Sequence, residues 1–400
     1  MSNPTIATPE RTQRGVIVLL MATSLAIATS NSVIFAALGD LQDKYGFGSA
    51  GLGLIAGTGF VAGLLVNLFL APLSDRGHAK RLIMLGMLLG AVGSALLGFG
   101  SSLPEFVIAR AVIGSSFGLV FPAVRAMLSN VDVTRRGLLL GRLVGVELFG
   151  FVLGPLVGGL MLDPFGLRTT FLTFAGLNVV SLVAVISREF PQLPQTAESA
   201  RLSFELLRIP QIQSAILVFM AFQTPVGIFD ALWDRYLTDL GGGNSMVGFS
   251  FALYTIPFIL LSSTGGRLAD RHDPHRLSMW SMVLVIPVVA GYGMFSSMPP
   301  VIALNVIEGV VQALAYPAAA AAIAHAAPTG RASAAQGLAG ASGLLMAGII
   351  AFVSPTIYGA FDGAANGANG GLVAFGSVGL VMAALTLAAA MLRRASSASR

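Results

Sequence analysis

Cysteine is missing from all 400 residues, which removes disulfide frameworks and thiolate metal sites together. Charge is the second scarcity. Asp, Glu, Lys and Arg make up 10% of the chain, where a soluble domain carries about a quarter. With 55% apolar residues and a mean hydropathy of +0.82, a water-soluble particle would be sticky over its whole surface. The composition therefore points to a protein whose solvent is lipid. The formal charge of +5 and the pI near 10.0 do not indicate a nucleic-acid partner, because the basic residues are scattered between apolar runs. No cofactor motif, phosphate loop, metal cluster or nucleophile with its base stands out, so an enzyme is not expected.

What is present is a series of long apolar runs. A helical span needs roughly 20 mostly apolar residues to cross about 30 Å of hydrocarbon. Twelve such runs are readable, at 15–38, 50–71, 82–101, 104–127, 138–162, 169–188, 211–233, 246–265, 277–297, 300–323, 333–357 and 371–392. The first is too long for the apolar core of a signal peptide. Nineteen of the 23 basic residues fall on the side of the two termini. Lys44, Arg168 and Arg235 fall opposite, and Arg110 lies inside a span. Because Lys and Arg favour the cytoplasmic side of short loops, both termini are expected there.

Displacing the sequence by 195 places brings Asp75-Arg76 onto Asp270-Arg271, Gly114 onto Gly309, Pro122 onto Pro317 and Arg136 onto Arg331. One register thus runs through several spans and loops. The expected architecture is an all-α membrane protein with twelve transmembrane helices in two six-helix bundles. A pseudo-two-fold along the membrane normal relates them, with a central site between the halves. The divisions are a terminal segment 1–14, a bundle 15–188, a linker 189–210, a bundle 211–392 and a tail 393–400.

Three stretches carry a resemblance to a family. The loop "APLSDRGHAKR" at 71–81 places Asp75, Arg76, Lys80 and Arg81 where the major facilitator superfamily has its G-x-L-a-D-R-x-G-R-[RK]-[RK] loop, and departs from it at Ala71, His78 and Ala79. The second-half copy "GRLADRHDPHR" at 266–276 keeps Gly266, Leu268, Asp270 and Arg271. Arg110, Gly114 and Gly118 are similar to the family's span-4 pattern. "GFVLGPLVGG" at 150–159 matches the drug:proton antiporter signature G-x-x-x-G-P-x-x-G-G at every fixed position. The resemblance covers essentially the whole chain. It implies a twelve-span, monomeric antiporter of the inner membrane that exports small hydrophobic molecules against protons and holds no cofactor.

The residues also have a reading of their own. Gly150, Gly154 and Gly158 recur every four residues and form a smooth stripe that lets another helix backbone approach. Pro155 removes one intrahelical hydrogen bond and tends to kink the helix, with Gly159 beside the stripe. This suits either a rocking contact between halves or a static packing groove. Asp75, Arg76, Lys80, Arg81, Asp270 and Arg271, with Arg136 and Arg331, are candidates for a gate that pairs across the halves in one conformation. The alternative is a set of solvated loops, whose ion pairs contribute about 0 to 1 kcal/mol each.

Ionisable groups within spans are costly and mark function by default. Glu147 and Glu308 lie deep in spans 5 and 10, so they are the candidates for loading and releasing protons, with Arg110 expected to hold one of them ionised. Asp230 sits near the end of span 7, either as a further coupling group or reaching to the interface. Each of these is also open to a purely structural role. Where many family members carry an acidic residue in span 1, this chain has Asn31. Phe35, Phe117, Phe121, Phe222, Tyr254 and Tyr316, with polar Asn31, Gln223, Asn305 and Gln312, are expected to line an apolar central cavity suited to amphiphilic or cationic lipophiles. The expected function is proton-coupled export by alternating access. The alternatives are a proton-independent facilitator, an exporter of one metabolite or lipid, and a sensor that transports nothing.

Overall fold

The computed structural model describes residues 10–70, 73–131, 135–190, 204–329, 331–361 and 370–398. Among these there are thirteen α-helices and no strand. They are α1 Glu10–Ser32, α2 Leu38–Tyr45, α3 Ser49–Phe69, α4 Ala79–Phe99, α5 Leu103–Val131, α6 Arg136–Ile186, α7 Pro210–Ala231, α8 Trp233–Asp239, α9 Asn244–Arg271, α10 Pro274–Gly291, α11 Met298–Ala326, α12 Ala332–Phe361 and α13 Gly370–Ala398. Most of the predicted linker lies outside the described residues.

Eleven of these helices are long and apolar enough to cross a bilayer. One of them, Leu138–Ile186, has 49 residues. At 1.5 Å per residue that is about 73 Å, more than twice the hydrocarbon thickness. It is interrupted at Gly166, with φ 72° and ψ 171°, a region essentially reserved for glycine. The break makes two crossings of one helix, so the total is the twelve read from the sequence, and both termini emerge on one side. Pro155 does not interrupt the helix. Pro155 keeps helical dihedrals, and the non-helical ones within α6 fall at Gly166, in the far turn. Helices α5 and α6 also run past the predicted span ends, and Arg125 and Arg142, counted among the basic residues on the terminal side, sit within them. The predicted tail continues α13 to Ala398.

The internal repeat is visible as structure. Short helix α2, after the first span, is matched 195 residues later by α8, after the seventh. The hydrophobic core has a distribution that positions the site. At the end opposite the termini, a single cluster unites both halves, from Val33, Leu38 and Leu52 to Trp233, Tyr292 and Phe375. At the terminal end it divides. One cluster, including Leu20, Ile83, Val124 and Leu143, belongs to the first half, and another, including Ile212, Phe219 and Ala322, to the second. The halves therefore meet at the far end and part toward the termini.

The seams at the far end need small residues. A Cβ on Gly53 would lie 2.3 Å from the carbonyl oxygen of Phe352, and one on Gly159 would lie 2.3 Å from that of Asn244. The remainder of the span-5 stripe works inside one half. A Cβ on Gly154 would stand 2.1 Å from Ser32 Oγ, and Gly150 and Gly158 abut Ala28 and Val33. The stripe is thus the packing groove for α1, and the contact between halves falls to Gly159 and Pro155, whose carbonyl oxygen faces Gly248.

Candidate functional site

The far-end closure is built from polar contacts across the halves. In the middle of the interface, Arg110 of α5 reaches Asp230 of α7 at 2.6 Å, with side chains 3% and 1% exposed. The same guanidinium donates to the carbonyl oxygen and Oδ1 of Asn31 at 2.9 and 3.0 Å. It lies 5.7 Å from the centre of the Phe35 ring. This corrects the expectation that Arg110 holds Glu147 or Glu308. Asp230 is its carboxylate, and rather than reaching for the membrane surface it is buried at the junction. Asn31 and Phe35, both half-buried, contact Arg110.

Beyond that pair, Gly39 N–H donates to Asp234 Oδ2 at 2.7 Å, and Asn244 Nδ2 donates to Asp40 and Asp163 at 2.9 and 3.0 Å. Arg235 bridges Asp43 at 2.5 Å and Asp239 at 2.6 Å. None of these lock residues was singled out from the sequence. The available signal was the density of Asp in the two repeat-related helices α2 and α8.

Toward the terminal end, Glu147 of α6 is 4% exposed and pairs with Arg125 of α5 at 2.5 Å, while the Arg125 side chain is half exposed. The arginine lies 5.7 Å from the Phe121 ring centre. Phe117, Phe121 and Phe151 stack around it, with centroids 4.4 to 6.3 Å apart. From the opposite half Tyr316 approaches near enough for Arg125 and Glu147 to act on it electrostatically. Tyr316 itself packs with Phe219, Phe222 and Phe258 at 5.3 to 6.0 Å. One aromatic cluster thus packs beside the Arg125–Glu147 pair, and a second, around Tyr316, lies within electrostatic reach of it from the opposite half. Gln223 packs against Gly343 beside the second cluster. Arg125 was counted among the basic residues on the terminal side in the sequence, because its position near a span end resembled a positive-inside residue.

Glu308 lies elsewhere. It is 0% exposed inside the second half, accepting from Tyr292 Oη and Gln312 Nε2 at 2.6 Å each. Asn305 completes this enclosed cluster, so neither it nor Gln312 lines the parting between halves, while Tyr254 is half-buried beside Phe229, with ring centres 5.7 Å apart. The i, i+3, i+7 stripe read in the sequence therefore serves the interior of one bundle.

The expected gate loops do not meet. Arg76, Arg81, Asp270 and Arg271 are exposed, and among the described residues no ion pair bridges the two loops. The side chains of Asp75 and Arg136 lie outside the described residues. Each loop instead ties to the last span of its own half. Lys80 donates to the carbonyl oxygen of Arg188 at 2.8 Å, at the end of span 6, and Asp273 pairs with Arg393 at the end of span 12. Arg331 pairs with Glu205 at 2.5 Å. The tight turn after span 2 is supplied by Gly77, at φ 85°.

Comparison with known proteins follows this geometry. The family description "Major Facilitator Superfamily" matches residues 20–233 and 214–399. The chain is 29% identical over 280 residues to "Multidrug resistance protein MdtG" of Proteus mirabilis (strain HI4320), covering 67% of this chain and 70% of that protein. It is 28% identical over 249 residues to the protein of the same name from Serratia proteamaculans (strain 568), covering 59% and 61%. Among solved structures, it superposes with TM-score 0.79 on a bacterial homologue of the human lysosomal transporter Spinster, described as inward-facing and occupied, at 15% identity over 97% of this chain and 98% of that one. For nucleoside transporter NupG the TM-score is 0.76, at 14% identity over 94% and 98%. At such identities these structures establish the fold.

Proposed function

Because the chain belongs to the Major Facilitator Superfamily, we propose that it exports hydrophobic, drug-like compounds across the inner membrane in exchange for protons, by alternating access of its two halves. The names of the relatives supply the substrate class, and their alignments span 70% and 61% of those proteins. The basic residues gathered at the terminal end put that end in the cytoplasm. The conformation is then open to the cytoplasm and sealed toward the outside by Arg110–Asp230 and the polar lock beyond it.

The observation that carries the reading is the Arg125–Glu147 pair. A nearly buried carboxylate sits beside one aromatic cluster and within electrostatic reach of a second, held by an arginine that is half in water. A lipophilic cation entering from the cytoplasm competes with Arg125 for Glu147, while the aromatic clusters take its apolar body. A proton accepted by Glu147 in the outward-open state removes the charge that held the cation and releases it outside. When the site faces inward again the proton leaves and Arg125 re-forms the pair seen here. Glu308, sealed within one bundle, is assigned a structural role.

The test is efflux of a fluorescent lipophilic cation from cells. Glu147→Gln, and separately collapse of the proton gradient, should each abolish it while Glu308→Gln retains it. Efflux that survives both treatments refutes proton antiport through Glu147.

A further inference from the structure

Asp234 lies on α8, outside the spans, and takes no part in the proton exchange at Glu147. It is 2% exposed. Its Oδ2 accepts the Gly39 N–H of the other half at 2.7 Å, and its Oδ1 has no hydrogen-bond partner. Position 39 is glycine, and a Cβ there would stand 3.3 Å from Oδ2, close enough to press on the contact. Gly39 and Asp234 are also 195 residues apart, the displacement of the internal repeat. They therefore face one another across the pseudo-two-fold, where the halves must separate for the far end to open.

The surroundings are acidic. From α2 come Asp40 and Asp43, with Lys44 exposed. From α8 itself come Arg235 and Asp239, and from the tip of span 5 Asp163, joined to Asp40 through Asn244. Arg235 is shared between Asp43 and Asp239. From α7, Asp230 is already neutralised by Arg110. Closing the lock therefore crowds several carboxylates around one shared arginine, and it strips water from Asp234. Burial pushes the Asp234 carboxyl up to about 7, against the opposing Gly39 hydrogen bond, with Asp40 and Asp43 adding and Arg235 subtracting. Burial likewise raises Asp40, opposed by the Asn244 hydrogen bond and reinforced by Asp163 and Asp43.

We propose that Asp234 is a second proton-binding site, filled from the compartment at the far end each time the Gly39–Asp234 lock closes and emptied to the same compartment each time it opens. This proton does not cross the membrane. It makes closure of the far end depend on the pH outside, independently of the proton exchanged at Glu147. The sign follows from linkage. Open and hydrated, Asp234 returns to an ordinary value of about 4. The closed state then binds more protons than the open state between about pH 4 and 7. Acid conditions favour closure, and rising pH favours opening until about pH 7, above which the dependence flattens. One proton sets a ceiling of about tenfold per pH unit.

The chain has no native cysteine, so a spin-label pair is straightforward. Gly48 and Gly243 are exposed at the far end, related by the repeat, and have nothing within 4 Å of an added Cβ. The full chain carrying Gly48→Cys and Gly243→Cys, in a Glu147→Gln/Glu308→Gln background, is placed in phospholipid nanodiscs and measured by pulsed dipolar spectroscopy from pH 4.5 to 8.5. The ratio of long to short distances should climb with pH by up to tenfold per unit and level off above neutrality. Asp234→Asn, which still accepts from Gly39 but cannot ionise, should give a much shallower profile shifted toward the short distance, keeping only the dependence that Asp40 contributes. Asp40→Asn should keep the profile and move its midpoint to lower pH. A pH-independent ratio in the parent, an unchanged profile in Asp234→Asn, or an unmoved midpoint in Asp40→Asn overturns the proposal. Because the readout is a distance measured without Glu147, a failure of the antiport reading leaves this result intact.

Discussion

Asp230→Asn isolates the energetic role of the buried pair. In the closed far end the Arg110 side chain is 3% exposed and loses its only carboxylate, keeping the two Asn31 oxygens at 2.9 and 3.0 Å. Removing one member of a buried ion pair costs about 3 to 5 kcal/mol, because the remaining charge stays desolvated. The Asn31 acceptors argue for the lower figure. The cost falls on the closed state alone, since opening admits water to Arg110. At 1.4 kcal/mol per factor of ten, about 3 kcal/mol shifts the equilibrium toward opening by about 10²-fold. Ala56 of α3 is 0% exposed and packs with Ala231 and Ala351 of the opposite half, so Ala56→Cys reports opening through its rate of alkylation by a membrane-impermeant maleimide. Asp230→Asn should raise that rate by up to about 10²-fold. Arg110→Gln combined with Asp230→Asn should bring it back near the parent value, because exchanging a buried pair for neutral groups is often neutral. Equal rates in Asp230→Asn and the parent, or a double variant as fast as the single, would refute the reasoning.

Two further outcomes follow from packing. Gly154→Ala should lower the thermal unfolding temperature through overpacking of about 1 to 3 kcal/mol, since its Cβ would overlap Ser32 Oγ and the Thr29 carbonyl oxygen. Gly141→Ala and Gly145→Ala, inside the helix with open space around them, should not lower it in the same assay. Glu308→Ala should destabilise the second bundle by about 2 to 4 kcal/mol, from a cavity plus the stranded hydroxyl of Tyr292 and amide of Gln312. Glu308→Gln should cost much less in denaturant unfolding, and equal losses in the two variants would contradict the assignment of Glu308 to a structural cluster.

The sequence revealed the number of crossings and the repeat because both are written in one dimension, as apolar length and as a fixed displacement. It also revealed which residues are buried charges, since an ionisable group inside an apolar run is conspicuous wherever it points. Partnership was not legible. Arg110, Glu147, Glu308 and Asp230 were all visible, but which carboxylate meets the arginine depends on helix rotation and on how the halves are tilted. Arg125 was misread because an arginine within a turn of a span's end looks like a topology charge whether it points to water or, as here, pairs with Glu147. The glycine stripe announced a close helix neighbour without saying that the neighbour is α1 of the same bundle. The far-end lock was missed because its aspartates stand in short amphipathic helices outside the spans, where charge is expected and attracts no notice.

The meeting of Gly39 with Asp234 bears on why both bundles reside in one polypeptide. At a true two-fold axis, a residue that touches the axis confronts its own copy. Two identical subunits would set glycine against glycine, with nothing to fasten them, or aspartate against aspartate, with mutual repulsion. A donor on one side and an acceptor on the other require the two sides to differ, and covalent fusion is what frees paired copies to diverge. The same liberty placed an arginine at 110 and an asparagine at its repeat equivalent, 305. An assembly of two identical six-span subunits would be denied this fastening.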